Sequence, residues 1–259
     1  MTYAMITGAT GVLGRAFAGE LAKRGYNLII TGRSAQKLEL LQAELKESGC
    51  GEVKTFACEL TDSEQRNDMF SAFSGLKIGM LVNVAGADIQ KPFGEYSQDK
   101  LTFQTRVNFE AAVSCCAFAI ENRAQTLRII NVSSVSGVFP MPYFAIYSAT
   151  KGALTSFSKA IAAEYRGKGV YVTAVLPGSI YTRADVIQYI NSLGAWAKFA
   201  AKQPQFVVKK SLAASERGKS CVVIGGANRL AILAARLVPE RLRLRFIARK
   251  WSATRKDAF

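Results

Sequence analysis

The strongest constraint on the fold lies in the first fifteen residues. A short apolar stretch, Tyr3–Thr7, runs directly into Gly8-Ala9-Thr10-Gly11-Val12-Leu13-Gly14, and a helical pattern follows through Lys23. Glycines at a strand-to-helix junction permit a tight reversal and leave the helix N-terminus uncovered. Its free N–H groups and the positive end of its dipole suit a phosphate. The alternation then continues. Asn27–Thr31, Val53–Ala57, Gly79–Val84, Leu127–Val132, Val170–Val175 and Cys221–Ile224 read as six further strands. Between them lie a helix capped by Ser34, with Leu38, Leu41 and Leu45 at helical spacing, and others from about Ser63 to Phe73, Gln98 to Asn122 and Ala145 to Arg166. Strands alternating with helices of this length demand a parallel sheet covered on both faces. The expected fold is α/β: a doubly wound, Rossmann-type, seven-stranded parallel sheet in one domain.

Composition closes off several kinds of chemistry. The chain has 259 residues, 49% apolar and 20% charged, enough for a sizeable core and incompatible with disorder. It has 0 histidines, which removes Ser-His and Cys-His nucleophile pairs and most zinc sites, so no metal is expected. Its 5 cysteines, Cys50, Cys58, Cys115, Cys116 and Cys221, show no C-x-x-C spacing and read as reduced, mostly buried thiols of a cytoplasmic protein. No apolar run reaches the roughly 18 to 20 residues of a spanning helix. The N-terminus lacks a basic segment followed by an apolar one, so no signal peptide is expected.

The glycines fall at Gly8, Gly11 and Gly14, a G-x-x-G-x-x-G spacing that points to a dinucleotide pyrophosphate. NAD-selective sheets end their second strand in a carboxylate that binds the ribose hydroxyls. Here that strand ends Thr31-Gly32-Arg33-Ser34, with a guanidinium instead, and Arg15 offers a second cation. Two guanidinium groups suit a 2′-phosphate, so the expected cofactor is NADP(H).

Without imidazole, proton transfer near neutral pH needs a perturbed tyrosine, lysine, thiol or carboxyl group. Tyr147 and Lys151 lie four apart at the start of a predicted helix and share one face. A cation beside a phenol favours phenolate and so equips the tyrosine for acid–base work. Tyr96 and Lys100 repeat the spacing. Only the first pair has a serine, Ser134, thirteen residues upstream at a strand end, on the edge where ligands bind in such sheets. Thirteen residues before Tyr96 is Asn83, inside a strand, and Tyr96–Lys100 reads as a surface pair.

Six blocks together resemble the short-chain dehydrogenases/reductases: Thr7–Gly14, Asn83-Val84-Ala85-Gly86, Asn108, Asn131-Val132-Ser133-Ser134, Tyr147-Ser148-Ala149-Thr150-Lys151 and Pro177-Gly178-Ser179-Ile180-Tyr181-Thr182. The resemblance implies a catalytic tetrad of Asn108, Ser134, Tyr147 and Lys151. Tyr147 would protonate the substrate oxygen, Ser134 would hydrogen-bond it, Lys151 would bind the nicotinamide ribose and lower the tyrosine pKa, and Asn108 would hold a relay water. It further implies cofactor contacts from Gly8, Thr10, Gly11, Val12, Leu13, Gly14, Arg15, Arg33 and Ser34, from Glu59 and Leu60, from Asn83, Ala85 and Gly86, and from Pro177, Gly178, Ile180 and Thr182. The chain departs from the family in three places. Its glycine spacing is that of the extended, sugar-nucleotide branch, although its length and Ser134 spacing match the compact one. Val84 replaces the second Asn of N-N-A-G, and Cys58-Glu59-Leu60-Thr61 stands where an Asp followed by an apolar residue is usual.

Residues 179–201 carry Ile180, Val186, Ile187, Tyr189, Ile190, Leu193, Trp196 and Phe199, which by family analogy form an apolar lid over a lipophilic carbonyl. Residues 1–227 would form the catalytic domain and 228–259 a basic amphipathic helical tail. Net charge is +15, and the tail concentrates it: Arg229, Arg236, Arg241, Arg243, Arg245, Arg249, Lys250, Arg255 and Lys256 against Glu240, interleaved with Leu230, Leu233, Leu237, Leu242, Phe246 and Trp251. Pro239 is placed to start a second tail helix. Such a surface suits the inner face of an anionic membrane, an acidic carrier protein or an acyl-thioester. No nucleic-acid motif accompanies the charge. The expected activity is NADPH-dependent reduction of a hydrophobic ketone or 3-oxoacyl substrate by a homodimer or tetramer. The alternatives are a sugar-nucleotide epimerase or dehydratase, disfavoured by the short chain after Thr182, and a non-catalytic, cofactor-bound sensor.

Overall fold

The computed structural model describes residues 2–182, 186–188 and 195–252. Seven strands, β1 (Tyr3–Thr7), β2 (Asn27–Gly32), β3 (Val53–Ala57), β4 (Ile78–Asn83), β5 (Arg123–Val132), β6 (Val170–Leu176) and β7 (Cys221–Val223), form one sheet in the order β3-β2-β1-β4-β5-β6-β7. Every pairing is parallel. The described helices are α1 (Val12–Lys23), α2 (Ala35–Glu47), α3 (Ser63–Ala72), α4 (Gln98–Thr105), α5 (Ala111–Glu121), α6 (Ala145–Glu164), α7 (Ala195–Ala200), α8 (Pro204–Glu216), α9 (Gly226–Leu237) and α10 (Glu240–Trp251).

Period-two alternation divides the core into two layers. Ala4 and Ile6 of β1, with Leu28, Ile30 and Val82, meet Phe17 and Leu21 of α1, Leu38 and Leu41 of α2, and Val207 and Leu212 of α8. Tyr3, Met5, Ile29 and Leu81 point the other way, onto Met69 of α3, Cys115 and Phe118 of α5 and Ile161 of α6. With both faces covered, β1 is buried along its whole length, as an almost unbroken apolar strand requires. Phe17 is fully buried, and its truncation to Ala would cost roughly 3–5 kcal/mol. Strand order reverses between β1 and β4, and the connections leaving their carboxyl ends diverge to open a crevice.

The long helix expected over Gln98–Asn122 is interrupted. Arg106–Glu110 adopts a π-helical turn between α4 and α5. Glu110 is held there by the buried guanidinium of Arg66 and by Arg106, at 3.5 Å from the latter. A buried cation must keep its carboxylate partner, and local helical periodicity yields to that demand. Helix α8 is an element the sequence reading did not anticipate. Pro204 occupies its first turn, where a missing N–H costs nothing, and its Val207 and Leu212 are buried. Strand β5 begins four residues earlier than expected, at Arg123, and β7 ends at Val223. Pro239 immediately precedes α10, as its position in the tail indicates.

Candidate active site

The crevice begins at the turn between β1 and α1. Gly8 has φ +65°, a left-handed conformation, and a Cβ there would lie 2.9 Å from the backbone of Ala85. At Gly14 a Cβ would come within 2.2 Å of the Gly8 carbonyl. One glycine is thus required by conformation and contact, the other by contact alone. Gly11 caps α1 without a side-chain hydrogen bond, leaving the first-turn N–H groups facing an exposed surface with Val12. Leu13 is turned inward, into the core.

At the end of β2, Arg33 is exposed and forms no ion pair among the described residues, while the Ser34 hydroxyl accepts from Lys37 N and caps α2. Arg15 is engaged, paired with Glu44 of α2 on the surface. Glu59 accepts from Thr61 N and Oγ1 at 3.1 and 3.0 Å, and Leu60 is buried in the core. Asn83 is likewise interior. Its amide donates to Asn131 Oδ1 at 2.8 Å, Asn131 donates to Ser158 Oγ at 2.9 Å, and Thr7 Oγ1 reaches Asn83 at 3.4 Å. This buried polar chain ties β1, β4, β5 and α6 together beneath the crevice.

Beyond β4, Gly86 is exposed, and a Cβ on it would lie 2.9 Å from Asn108 Oδ1 and 3.2 Å from Lys151 Nζ. Asn108 stands in the π turn with its amide spent on protein partners: Oδ1 accepts from Ala87 N, and Nδ2 donates to Ala87 O and to Thr150 Oγ1. That side chain positions the loop after β4.

Ser134 follows β5, where its hydroxyl accepts from Ser136 N at 3.0 Å, and Tyr147 opens α6; both line one cavity. Ser133 fastens the two elements, donating to Lys151 O at 2.7 Å. Tyr143, at φ +64°, turns the chain into α6, and the Phe144 ring stacks on Tyr147 with centroids 4.3 Å apart. Lys151 is buried, donates to Val132 O at 3.0 Å and lies 5.8 Å from the centre of the Tyr147 ring. Burial pushes the Tyr147 phenol above its ordinary pKa, the Asp88 carboxylate adds to the rise, and the Ser134 hydroxyl opposes it. The sequence led to the opposite expectation, a phenol lowered by the lysine. Lys151 itself is lowered from 10.5 to about 8 by burial, against the pull of Asp88. The thiols offer no competing nucleophile: burial raises Cys58 to about 11 and Cys116 to about 12.

Val135 N donates to Pro177 O beyond β6, Gly178 packs against Asn228, and Ile180 bridges to Lys202. Ile180 and Thr182 join Ser134, Tyr147 and Lys151 around a cavity of about 720 Å³. Its apolar walls include Phe139, Met141, Phe144, Ile232, Ile247 and Trp251. Val186 also lines it, whereas Tyr189, Ile190, Leu193 and the side chain of Trp196 fall outside the described residues.

Asp88 and Gln90 also line the cavity and belong to no block found in the sequence. Asp88 acts on both Tyr147 and Lys151. Gln90 is 3% exposed, and its Nε2 is buried without a hydrogen-bond partner. The tail walls the cavity too, through Asn228, Ala231, Ile232 and Ala235, whose three- and four-residue spacing was readable.

A nicotinamide dinucleotide fits these features. The bare helix N-terminus would receive a pyrophosphate, the open face at Gly86 would admit a close approach, and Ser134 and Tyr147 border the adjoining cavity. Comparison with known proteins agrees. The family model described as short chain dehydrogenase matches residues 2–189. The very-long-chain 3-oxoacyl-CoA reductase of Macaca fascicularis is 33% identical over 194 residues, 72% of this chain, and the match spans 62% of that relative's length. A 7beta-hydroxysteroid dehydrogenase structure superposes with a TM-score of 0.84 at 25% identity, covering 95% of this chain and 96% of its own. A 3-oxoacyl-[acyl-carrier protein] reductase with bound NAD from Brucella melitensis gives 0.76 at 26% identity, covering 87% and 90%. From the glycine turn to the cavity lined by Ser134, Tyr147 and Lys151, sequence and geometry lead to one assignment: the chain belongs to the short-chain dehydrogenase family.

Proposed function

We propose that the chain is an NADPH-dependent reductase that converts a lipophilic ketone or 3-oxoacyl thioester into the secondary alcohol. The observation that carries the proposal is the convergence of Ser134, Tyr147 and buried Lys151 on the wall of one largely apolar cavity, with Lys151 Nζ 5.8 Å from the centre of the Tyr147 ring. A nicotinamide dinucleotide held beside Tyr147 and Lys151 would supply a hydride for the carbonyl carbon. As the C=O π bond breaks, Tyr147 gives its phenolic proton to the oxygen, on which Ser134 also donates a hydrogen bond. The phenol is protonated at neutral pH, as a general acid must be, although burial makes it a weaker proton donor than an ordinary tyrosine. Charged Lys151 stabilises the phenolate left behind, and solvent returns the proton.

For the cofactor, Gly8, Thr10, Gly11 and the α1 N-terminus would hold the pyrophosphate, and Arg33 and Ser34 the 2′-phosphate. Glu59 and the Leu60 backbone would border the adenine. Gly86, Tyr147 and Lys151 would receive the ribose, and Gly178, Ile180 and Thr182 the carboxamide side. The preference for NADPH is supported by Arg33, an exposed cation where NAD-binding relatives of this fold place a carboxylate. The substrate class is supported by the aromatic and aliphatic cavity walls and by the acyl and steroid substrates in the relatives' names. Gln90 Nε2 is the group suited to a second polar atom of that substrate, such as a thioester carbonyl. Self-association through α5 and α6, whose Ala117, Lys159 and Ala160 are exposed, completes the proposal.

Tyr147→Phe tests it. Turnover of a 3-oxoacyl thioester with NADPH should fall about 10²- to 10⁴-fold, the range for a lost general acid, while NADPH still binds. Undiminished turnover in the variant, or no reduction of any lipophilic ketone by the wild-type protein, would overturn it.

A further inference from the structure

The two tail helices carry more apolar surface than the cavity uses. On α9, Asn228, Ala231, Ile232 and Ala235 face the cavity. At 100° per residue, Leu230, Leu233 and Leu237 lie on the opposite side of the helix, and all three are exposed. On α10, Ile247 and Trp251 face the cavity, and the Arg243 guanidinium stacks over Phe139 at 4.2 Å. Leu242 and Phe246 point outward. Of these five outward residues Leu242, at 54%, is the least exposed and Leu237, at 87%, the most. A helix apolar on two opposite faces cannot satisfy both against one protein core. An exposed stripe of this extent marks an interaction surface.

Charge identifies the occupant. Arg229, Arg236, Arg241, Arg245, Arg249 and Lys250 are exposed around the stripe, and Glu240 is the acidic residue of these two helices. A second copy docking two-fold on the same surface would bring like charges together. A partner both apolar and anionic relieves the two demands at once, and the interface of an anionic bilayer is such a partner.

We propose that α9 and α10 dock the protein on an anionic lipid surface, with Leu230, Leu233, Leu237, Leu242 and Phe246 inserted and the arginines on the headgroups. The opposite faces of the same helices wall the cavity, so docking sets the cavity beside the bilayer. Resting on the reductase proposal for its substrate, this arrangement supplies a lipophilic carbonyl from the membrane rather than from water.

Sedimentation of the full chain with vesicles tests the docking without any turnover, so its failure is distinct from failure of the reductase proposal. The protein should pellet with vesicles of equal parts phosphatidylcholine and phosphatidylglycerol, remain in solution with phosphatidylcholine alone, and be released at molar salt. Leu233→Glu with Phe246→Glu, and separately Arg241→Gln with Arg245→Gln and Arg249→Gln, should each lower the bound fraction at least about tenfold. NADPH binding by both variants establishes that they fold. Absence of binding to the mixed vesicles, equal binding to both vesicle types, or wild-type binding by the variants would overturn the proposal. Capture by an acidic acyl-carrier protein in the absence of vesicle binding would also overturn it, in favour of a protein partner.

Discussion

Asn108 and Ala87 are joined by two hydrogen bonds, from Ala87 N to Oδ1 at 2.8 Å and from Nδ2 to Ala87 O at 2.9 Å. One side-chain amide thereby satisfies both backbone groups of a buried residue, as a neighbouring strand would. The loop pinned in this way carries Gly86, Asp88 and Gln90 into the cavity. Asn108→Ala should strand Ala87 N, at about 1–3 kcal/mol, whereas Ala87 O keeps the donor Gln104 Nε2 at 3.2 Å. Urea unfolding should show a loss of about 1–3 kcal/mol, and kcat/KM should fall with it as the loop loosens. A variant as stable as the parent would remove Asn108 from this role.

The depressed pKa of Lys151 has a consequence for stability. The group drops from 10.5 to about 8 on folding, so the unfolded chain holds more protons between those values. Stability therefore rises with pH across that window, and the full cost stands below about pH 8. The shift corresponds to about 3 kcal/mol. Lys151→Met abolishes the titration. The unfolding free energy of the parent should gain on that of the variant by a few kcal/mol, about 3, between pH 8 and pH 10.5. The comparison of slopes is insensitive to the lost hydrogen bond to Val132. A difference between the two proteins that stays constant with pH would show that the lysine is not depressed.

What was legible in the sequence is what local spacing encodes. The four-residue interval puts Tyr147 and Lys151 on one helix face, and the glycines announce a strand-to-helix turn wherever the rest of the chain lies. The π turn was not legible, because Arg66 and Glu110 are 44 positions apart and Asn108 and Ala87 are 21 apart. Neither contact leaves a mark on apolar periodicity, which continues through Val107, Ala111 and Cys115. Arg15 read as a second phosphate cation because its neighbour Glu44 is 29 residues away on another helix. Leu13, Leu60 and Asn83 fall within cofactor blocks yet turn their side chains inward, where motif matching is blind to facing. Gln90 belongs to no motif, and only the assembled cavity gives it meaning.

The orphaned amide of Gln90 makes opposite predictions for stability and for binding. Its Nε2 is desolvated without a partner in the free protein, a cost of about 1–3 kcal/mol. Gln90→Leu should therefore leave thermal stability equal or higher. A substrate oxygen that meets this donor would lose it, so KM for a 3-oxoacyl thioester should rise about tenfold with kcat little changed. A simple ketone without a second carbonyl should be affected less. Equal effects on both substrates would mean that the amide touches neither.

The proposed preference for NADPH rests on Arg33, exposed at the end of β2. Arg15 is already paired with Glu44, but both side chains are well exposed, and such surface pairs contribute little. Arg33→Ala should therefore weaken NADPH binding at least tenfold, about 1.4 kcal/mol, and leave NADH within about twofold. Arg15→Ala should have a smaller effect of the same sign. Glu44→Gln, which frees Arg15 for a phosphate, should tighten NADPH and leave NADH unchanged. Fluorescence titration of the reduced nicotinamide measures each variant with each nucleotide. If Arg33→Ala weakens the two nucleotides equally, the guanidinium reads a group common to both, and selectivity for the 2′-phosphate must be sought elsewhere. If it weakens neither, the end of β2 does not meet the adenosine ribose, and the sign of the charge there is without consequence for the cofactor.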